Sequence, residues 1–266
     1  MRPRVLLLSL LALAACHAHE TQPIPIARDP GAVASMPAIE PSAVVPEAET
    51  DAGAASEEPA RVERVAVEKD LPAALVHGRH GEAPRIVFMP GVCSNAYAYL
   101  LSFPEAARAH GGIVAIDGDQ PCGAAGSGFR SFSWDPVRQD ARLQAALVAA
   151  GVASGPPEGL TLVGYSAGAG IGELMVQRWP RRYARAVLIG APSDPSPQRL
   201  AQAHGVVTMS CSRDVPGRMR EAARRIAATG VPATYLEMPG CTHGNIADGE
   251  RVFETAFDWL TEHAGE

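Results

Sequence analysis

Apolar and polar residues follow two alternating patterns from residue 62 onward. Short apolar runs of the kind that form buried strands occupy residues 62–67, 73–77, 85–89, 112–116, 160–163, 186–189, 206–210 and 233–237. Between them, helical patterns predict helices at 136–150, 217–228 and 250–263, and helix-compatible runs occupy residues 97–110 and follow residue 166. Because strands and helices alternate, the sequence predicts an α/β fold in which a mostly parallel twisted sheet carries helices on both faces. Functional loops are then expected at the carboxyl ends of the strands.

The first 15 residues have the pattern of an export signal. Arg2 and Arg4 precede an apolar run that is too short to span a bilayer comfortably. The run ends in Leu-Ala-Ala-Cys16, which resembles the lipobox of bacterial lipoproteins. That resemblance implies an acylated Cys16 that anchors the protein to a membrane of the cell envelope, and His17 at the next position favours the outer membrane. The alternative is an ordinary secretory signal cleaved near Ala15 or Ala18.

Residues 16–60 have a composition that differs from the rest of the chain. After Cys16, this segment holds 11 alanines, 7 prolines and eight acidic residues, with Arg28 as its one basic residue and no aromatic residue. Such a segment buries too little apolar area to offset the entropy of ordering, so we expect a disordered tether. Cys16, His17 and His19 could be taken as metal ligands, but three residues in a flexible tail make a poor site.

Residues 61–266 form the third predicted unit, a single domain large enough for a substantial core. The whole chain carries a net charge of −6, and most of the imbalance lies in the tether, so the domain itself is close to neutral. No basic stripe with interleaved aromatic residues is present, so the sequence gives no sign of nucleic-acid binding. It also holds no motif that calls for a cofactor.

The segment from Leu160 to Glu173 carries the strongest chemical signal. A predicted strand runs into Gly164-Tyr165-Ser166-Ala167-Gly168, and small residues continue into a predicted helix. A sharp turn of this kind exposes a serine hydroxyl, and the flanking glycines are expected where a Cβ would collide with neighbouring backbone. The helix would direct free N–H groups toward negative charge that develops at the serine. The alternative is a glycine-rich turn with a purely structural role.

Two later residues complete a resemblance to the α/β-hydrolase superfamily, which extends from Val62 to the C-terminus. Asp214 follows the strand at 206–210, and His243 lies in a glycine-flanked loop between the last strand and the last helix. The order serine, acid, histidine is that of the superfamily. The resemblance implies that Ser166 is the nucleophile, that His243 is the base and acid, and that Asp214 orients the imidazole. Asp194 competes with Asp214 for the acid's role, and a surface loop histidine is the alternative for His243.

The same resemblance implies an oxyanion hole built from main-chain N–H groups. One is that of Ala167, and the other belongs to the loop after the strand at 85–89, where position favours Val92. The familiar His-Gly of this loop is Pro90-Gly91 here, which leaves Cys93 open as the second donor.

Four cysteines of the domain follow the carboxyl ends of predicted strands. An even count outside the cytosol indicates disulfides. In the hydrolase topology the strands before Cys93 and Cys122 are neighbours, as are those before Cys211 and Cys241, so the resemblance implies the pairs Cys93–Cys122 and Cys211–Cys241. Free thiols and a four-cysteine metal site are the alternatives, although no Cys-x-x-Cys pair supports the latter.

The substrate region is expected to be open. Only about sixteen residues separate the strands at 186–189 and 206–210, which is too few for a lid domain. The expected wall is the segment 119–134, in which Phe129, Phe132 and Trp134 surround Arg130. Arg130 is expected to pair with Asp117 or Asp119, with a carboxylate of the substrate as the alternative.

The sequence therefore predicts a cofactor-independent serine hydrolase of esters, with thioesters and amides as further candidates. The alternatives are a serine peptidase on the same scaffold and a lipoprotein that binds without turnover.

Overall fold

Eight strands form the central sheet of this protein. The computed structural model describes residues 58–123, 128–153 and 157–265. The strands of the sheet are β1 (Glu63–Val65), β2 (Ala73–His77), β3 (Ile86–Met89), β4 (Gly112–Ala115), β7 (Thr161–Tyr165), β8 (Arg185–Ile189), β9 (Gly205–Cys211) and β10 (Ala233–Met238). The predicted signal, Cys16 and the tether as far as residue 57 lie outside the described residues.

The sheet has the order β1-β2-β4-β3-β7-β8-β9-β10. Strand β2 pairs antiparallel with both of its neighbours, and all of the pairs from β4 to β10 are parallel. The predicted mostly parallel sheet is therefore confirmed. A separate two-stranded sheet pairs β5 (Gln120–Pro121) with β6 (Arg130–Ser131), which the sequence did not predict because each strand is only two residues long.

Six helices lie in the described part of the chain, namely α1 (Ala96–Leu100), α2 (Pro104–Ala109), α3 (Pro136–Ala149), α4 (Ala167–Arg178), α5 (Pro216–Ala227) and α6 (Gly249–His263). The helix-compatible segment 97–110 forms two helices, α1 and α2, with a break between them. Phe103 has an extended φ of −155° and is followed by Pro104. Proline disfavours a helical backbone at the preceding residue and lacks the N–H that would continue α1, so the chain starts a new helix there.

Helices cover both faces of the sheet, as predicted. Along β3, Val87 and Met89 belong to a core shared with α3, α4 and α5, whereas Ile86 and Phe88 belong to a core shared with α1, α2 and α6. Successive strand residues point to opposite faces, so a fully apolar strand such as β3 serves both cores.

The loops that follow the carboxyl ends of the strands bring the candidate residues together. Residues 190–204, between β8 and β9, contain no helix or strand, and no separate lid is present among the described residues. None of the helices described is both long and apolar enough to cross a membrane.

Candidate active site

Ser166 lies at a tight junction between β7 and α4. Its backbone has φ 52° and ψ −115°, a conformation rare for a residue with a Cβ. A Cβ on Gly164 would lie 2.5 Å from the carbonyl oxygen of Gly168, and one on Gly168 would lie 2.0 Å from that of Met89. Both distances are far inside van der Waals contact, so the two glycines are required for β3, β7 and α4 to approach this closely. The Ser166 N–H donates to Ile189 O at 2.8 Å and holds the turn to β8.

Three side chains from separate loops form a continuous hydrogen-bonded chain. Ser166 Oγ is 3.0 Å from His243 Nε2, and His243 Nδ1 is 2.7 Å from Asp214 Oδ2. An ionised carboxylate only accepts, so Nδ1 carries the proton toward Asp214 and Nε2 is free to accept from the serine hydroxyl. The carboxylate is largely shielded, with a side-chain exposure of 10%, whereas the imidazole is 47% exposed. The arrangement allows a proton to move from Ser166 to His243 while Asp214 stabilises the resulting imidazolium.

Asp194, the competing acid, lies elsewhere. Its carboxylate is 52% exposed, accepts from Arg225 Nη2 at 3.0 Å and is 3.8 Å from Arg218 Nε. In the structure, Asp214 therefore contacts His243, whereas Asp194 pairs with two arginines on the first and last turns of α5.

The loop that follows β3 passes directly beside Ser166. A Cβ on Gly91 would lie 3.2 Å from Ser166 Cβ, so this loop and the serine are in contact. The Cys93 N–H donates to Ser131 Oγ at 3.2 Å and is therefore occupied. Within the described residues, the N–H groups of Val92 and Ala167 have no acceptor. The N–H groups of both residues that position favours are thus free to bind an oxyanion, whereas that of Cys93 is not.

Several contacts fix this loop and the start of α1. Ser94 Oγ donates to Gly91 O at 2.6 Å, and the main chains of Ser94 and Arg130 exchange two hydrogen bonds of 3.1 Å. The buried Asp117 carboxylate accepts from the Ala96 N–H at 2.6 Å, the first N–H of α1. Burial raises the pKa of Asp117, and this hydrogen bond acts in the opposite direction.

Two disulfides join the loops of the site, Cys93–Cys122 and Cys211–Cys241. These are the pairs expected from the resemblance. The first ties the loop of Val92 to the β5–β6 hairpin, and the second ties the loop of Asp214 to that of His243.

The expected pairing of Arg130 with an aspartate side chain is wrong. Its guanidinium donates to the main-chain oxygens of Gly118 and Asp119, each at 3.0 Å. The Asp119 carboxylate instead binds Ser133, Arg138 and Gln139. Burial alone raises the pKa of Asp119, but these hydrogen bonds outweigh it and hold the pKa well below its usual value.

The predicted wall is only partly exposed. Phe132 is buried at 5% exposure, whereas Phe129 is 50% and Trp134 58% exposed. The indole of Trp134 lies over α4, because a Cβ on Gly170 would be 2.9 Å from it. Residues 124–127 of the wall lie outside the described residues.

Sequence reasoning missed two tyrosines that contact the His243 loop. Tyr165 Oη accepts from the Gly244 N–H at 2.8 Å, and Tyr99 Oη donates to Gly244 O at 2.8 Å. Burial, as the main cause, raises the pKa of Tyr165 to about 12, so its phenol is protonated at neutral pH. No local signal identifies these contacts, because they join residues 79 and 145 positions apart.

Metal ligands do not cluster in the described residues, where no group of three or more His, Cys, Asp or Glu side chains is placed to hold an ion.

Comparisons with known proteins give the fold. No protein-family model and no curated protein matches this chain. Among solved structures, it is similar to Est1E from Butyrivibrio proteoclasticus, with 10% identity and a TM-score of 0.53 over 76% of this chain and 98% of the other. It is also similar to FphF, a fluorophosphonate-binding serine hydrolase of Staphylococcus aureus, with 10% identity and a TM-score of 0.54 over 76% and 99% of the two chains.

A third similar structure is carboxyl esterase 2 from Tuber melanosporum, with 13% identity and a TM-score of 0.54 over 81% of this chain and 90% of the other. At such identities the likeness concerns the fold, and this is the α/β-hydrolase fold.

Proposed function

We propose that this protein is a serine hydrolase that cleaves a carboxylic ester through an acyl-enzyme intermediate. The observation that carries the proposal is the unbroken chain from Ser166 Oγ through His243 to Asp214, with links of 3.0 and 2.7 Å. It lies beside two free main-chain N–H groups, which is the remaining requirement for acyl transfer.

The proposed reaction begins at the serine. Ser166 Oγ attacks the acyl carbon as its proton passes to His243 Nε2, and the carbonyl oxygen becomes an oxyanion that accepts from the N–H groups of Val92 and Ala167. The imidazolium then donates its proton to the alcohol oxygen as the carbon–oxygen bond breaks. Water attacks the acyl-enzyme with His243 as base, and the acid and the free serine are released. Asp214 stays ionised and stabilises the imidazolium in both halves.

The proposed substrate has an acyl or alcohol group that rests on an open surface. Val92, Phe129 and Trp134 are 57%, 50% and 58% exposed, and they belong to the loops around Ser166. Exposed apolar side chains at the rim suit short esters or the ends of longer chains, rather than an acyl group enclosed in a tunnel. Thioesters and amides remain candidates for the same machinery.

Fluorophosphonate labelling tests the proposal directly. A structural neighbour is a fluorophosphonate-binding serine hydrolase, and we expect the same reagent to label this protein at Ser166. The Ser166→Ala variant is the control and is expected to show neither labelling nor hydrolysis. Rates of hydrolysis of p-nitrophenyl acetate, butyrate and octanoate then show which acyl chain length is preferred. A matched p-nitroanilide shows whether esters are cleaved faster than amides. A wild type that is neither labelled nor active on any of them refutes the proposal.

We further propose that Cys16 carries lipid and holds the enzyme at the cell envelope. The support is the signal-like sequence of residues 1–15 followed by Cys16, together with two disulfides in the domain, which persist in an oxidising compartment. Metabolic labelling with a radioactive fatty acid tests this. The wild type is expected to be labelled and to sediment with membranes, and Cys16→Ser to lose both properties. A Cys16→Ser variant that still sediments with membranes contradicts the anchor.

A further inference from the structure

The imidazole of His243 is not held by burial. Its side chain is 47% exposed, so side-chain packing covers only half of the ring. Besides its hydrogen bonds to Asp214 and Ser166, such a half-exposed imidazole takes its position from the backbone that carries it. The contacts of the His243 loop therefore decide where the imidazole lies relative to Ser166.

Two phenols hold the residue that follows His243. Tyr165 Oη accepts from the Gly244 N–H, and Tyr99 Oη donates to Gly244 O, both at 2.8 Å. Tyr165 Oη also donates to Asn245 O at 3.3 Å. These hydrogen bonds fix the peptide groups on both sides of Gly244, and they bind the main chain alone. The Tyr165 ring also meets the imidazole edge-on, with 5.5 Å between the ring centroids.

The two tyrosines belong to other parts of the site. Tyr165 directly precedes Ser166 at the end of β7 and is 1% exposed, and Tyr99 lies on α1, the helix that follows the loop of Val92. Their rings contact each other at a centroid distance of 5.3 Å. Gly244 is therefore hydrogen-bonded both to β7, the strand that leads to Ser166, and to α1, the helix that follows the loop of Val92.

A separate link holds the other side of His243. Cys241, two residues before it, is bonded to Cys211, and Cys241 O accepts from the Arg213 N–H at 3.2 Å. That link orients the loop toward Asp214. The two phenols orient the loop toward Ser166. The position of His243 relative to Asp214 and its position relative to Ser166 are therefore held by separate contacts.

We infer that Tyr165 and Tyr99 are positioning residues, which set the place of His243 by clamping the Gly244 backbone. The inference rests on the proposed function of the site. Proton transfer depends on geometry, and a displacement of about 1 Å costs on the order of 100-fold in rate. The two phenols bind the main chain of Gly244 and Asn245, so they would affect the reaction rate through the position of His243.

Tyrosine-to-phenylalanine variants provide the test, because they keep the ring and remove only the hydroxyl. For Tyr165→Phe we expect kcat to fall about 5- to 50-fold with KM changed less than twofold, and for Tyr99→Phe a smaller fall in the same sense. The rate of fluorophosphonate labelling is expected to fall in parallel. In the double variant the loss should exceed either single loss but remain below their product, because both hydroxyls hold one residue.

Two other tyrosines serve as matched controls. Tyr183→Phe removes a buried phenol that donates to Asp140 at 2.6 Å, and it should lower the melting temperature while leaving kcat unchanged. Tyr235→Phe removes a phenol on β10 that donates to Glu237 and is 3.1 Å from the buried Ser210 Oγ, so it should also lower stability while leaving kcat unchanged. If Tyr165→Phe lowered the melting temperature as Tyr183→Phe does but left the kcat of the folded protein unchanged, the phenol would serve the fold alone and the inference would be overturned.

Hydrogen exchange measures the clamp without turnover. In a Ser166→Ala background, the peptide that contains Gly244 should exchange faster once Tyr165→Phe is added, and unchanged exchange would contradict the clamp. If Ser166→Ala abolishes activity but Tyr165→Phe retains wild-type kcat, the positioning role fails and the proposed function stands. If the wild type itself has no activity and no labelling, the proposed function fails, and the positioning role fails with it.

Discussion

Replacing Asp214 with asparagine tests the division of roles between the two candidate acids. Asparagine has nearly the shape of aspartate, so it should preserve packing while it removes the charge beside His243. Its amide also donates, and an amide N–H facing Nδ1 would favour the tautomer that carries its proton on Nε2. In that tautomer, Nε2 has no lone pair to accept the serine proton.

The size of the effect follows from the distance and the burial. Asp214 Oδ2 lies 2.7 Å from His243 Nδ1, and the carboxylate is 10% exposed. Taking about 4 Å between the centres of charge and an effective dielectric constant of about 20, the attraction between carboxylate and imidazolium is about 4 kcal/mol. This energy corresponds to about 10³-fold in rate, and the wrong tautomer adds to the loss. We expect kcat of Asp214→Asn to fall by about 10³- to 10⁴-fold.

Asp194→Asn is the matched control. Its carboxylate is 52% exposed and faces Arg218 and Arg225, so we expect kcat within twofold of wild type and a stability change below about 1 kcal/mol. Steady-state hydrolysis of p-nitrophenyl acetate gives kcat, and thermal unfolding shows that both variants fold. A large loss in Asp194→Asn together with near-normal activity in Asp214→Asn would refute the assignment.

Three further predictions concern the structure around the site. Replacing Cys211 and Cys241 together with serine should lower the free energy of unfolding by about 3.5 kcal/mol in urea melts, because the bond closes a loop between cysteines 30 positions apart, and kcat should fall as well; unchanged values for both would contradict this. Gly168→Ala should cost at least about 2 kcal/mol, because the new Cβ meets backbone at 2.0 Å, whereas Gly217→Ala, with nothing within 4 Å, should be nearly neutral. Equal effects of the two alanines would count against the close approach. Asp119 has a lowered pKa in the folded state, so its stabilising effect is present above about pH 4 and is lost as the pH falls through its folded pKa. Asp119→Asn should therefore cost about 2 kcal/mol at pH 7 and less at pH 3 in urea melts, and a constant difference would contradict this sign.

The sheet was predictable because its central strands are continuous apolar runs. Strands β3, β4, β7, β8 and β9 are buried on both faces along almost all of their length, so hydrophobicity alone marks them, and alternation with helices then predicts parallel pairing. The break at Phe103 was also open to prediction, since Pro104 is present in the sequence. The β5–β6 hairpin was not, because strands of two residues carry no periodic pattern.

In the candidate site, the residues that could be predicted are those that their local sequence and their place after a strand single out. Ser166 and His243 stand out because each lies in a glycine-flanked turn at the end of a strand. The choice between Asp214 and Asp194 depends on the paths of two loops, and local sequence does not determine such paths. Arg130 binds main-chain oxygens, and Tyr99 binds the main chain at Gly244, so neither contact has a complementary side chain that a pattern could identify.

The left-handed backbone of Ser166 lowers the stability of the fold at the position that supplies the hydroxyl of the candidate site. At φ 52° a side chain with a Cβ is strained, typically by 1 to 3 kcal/mol, and glycine would relieve that strain. A Ser166→Gly protein would then be harder to unfold than the parent while having lost the hydroxyl that faces His243. Screening variants of this protein for heat resistance alone would consequently favour the loss of its proposed nucleophile.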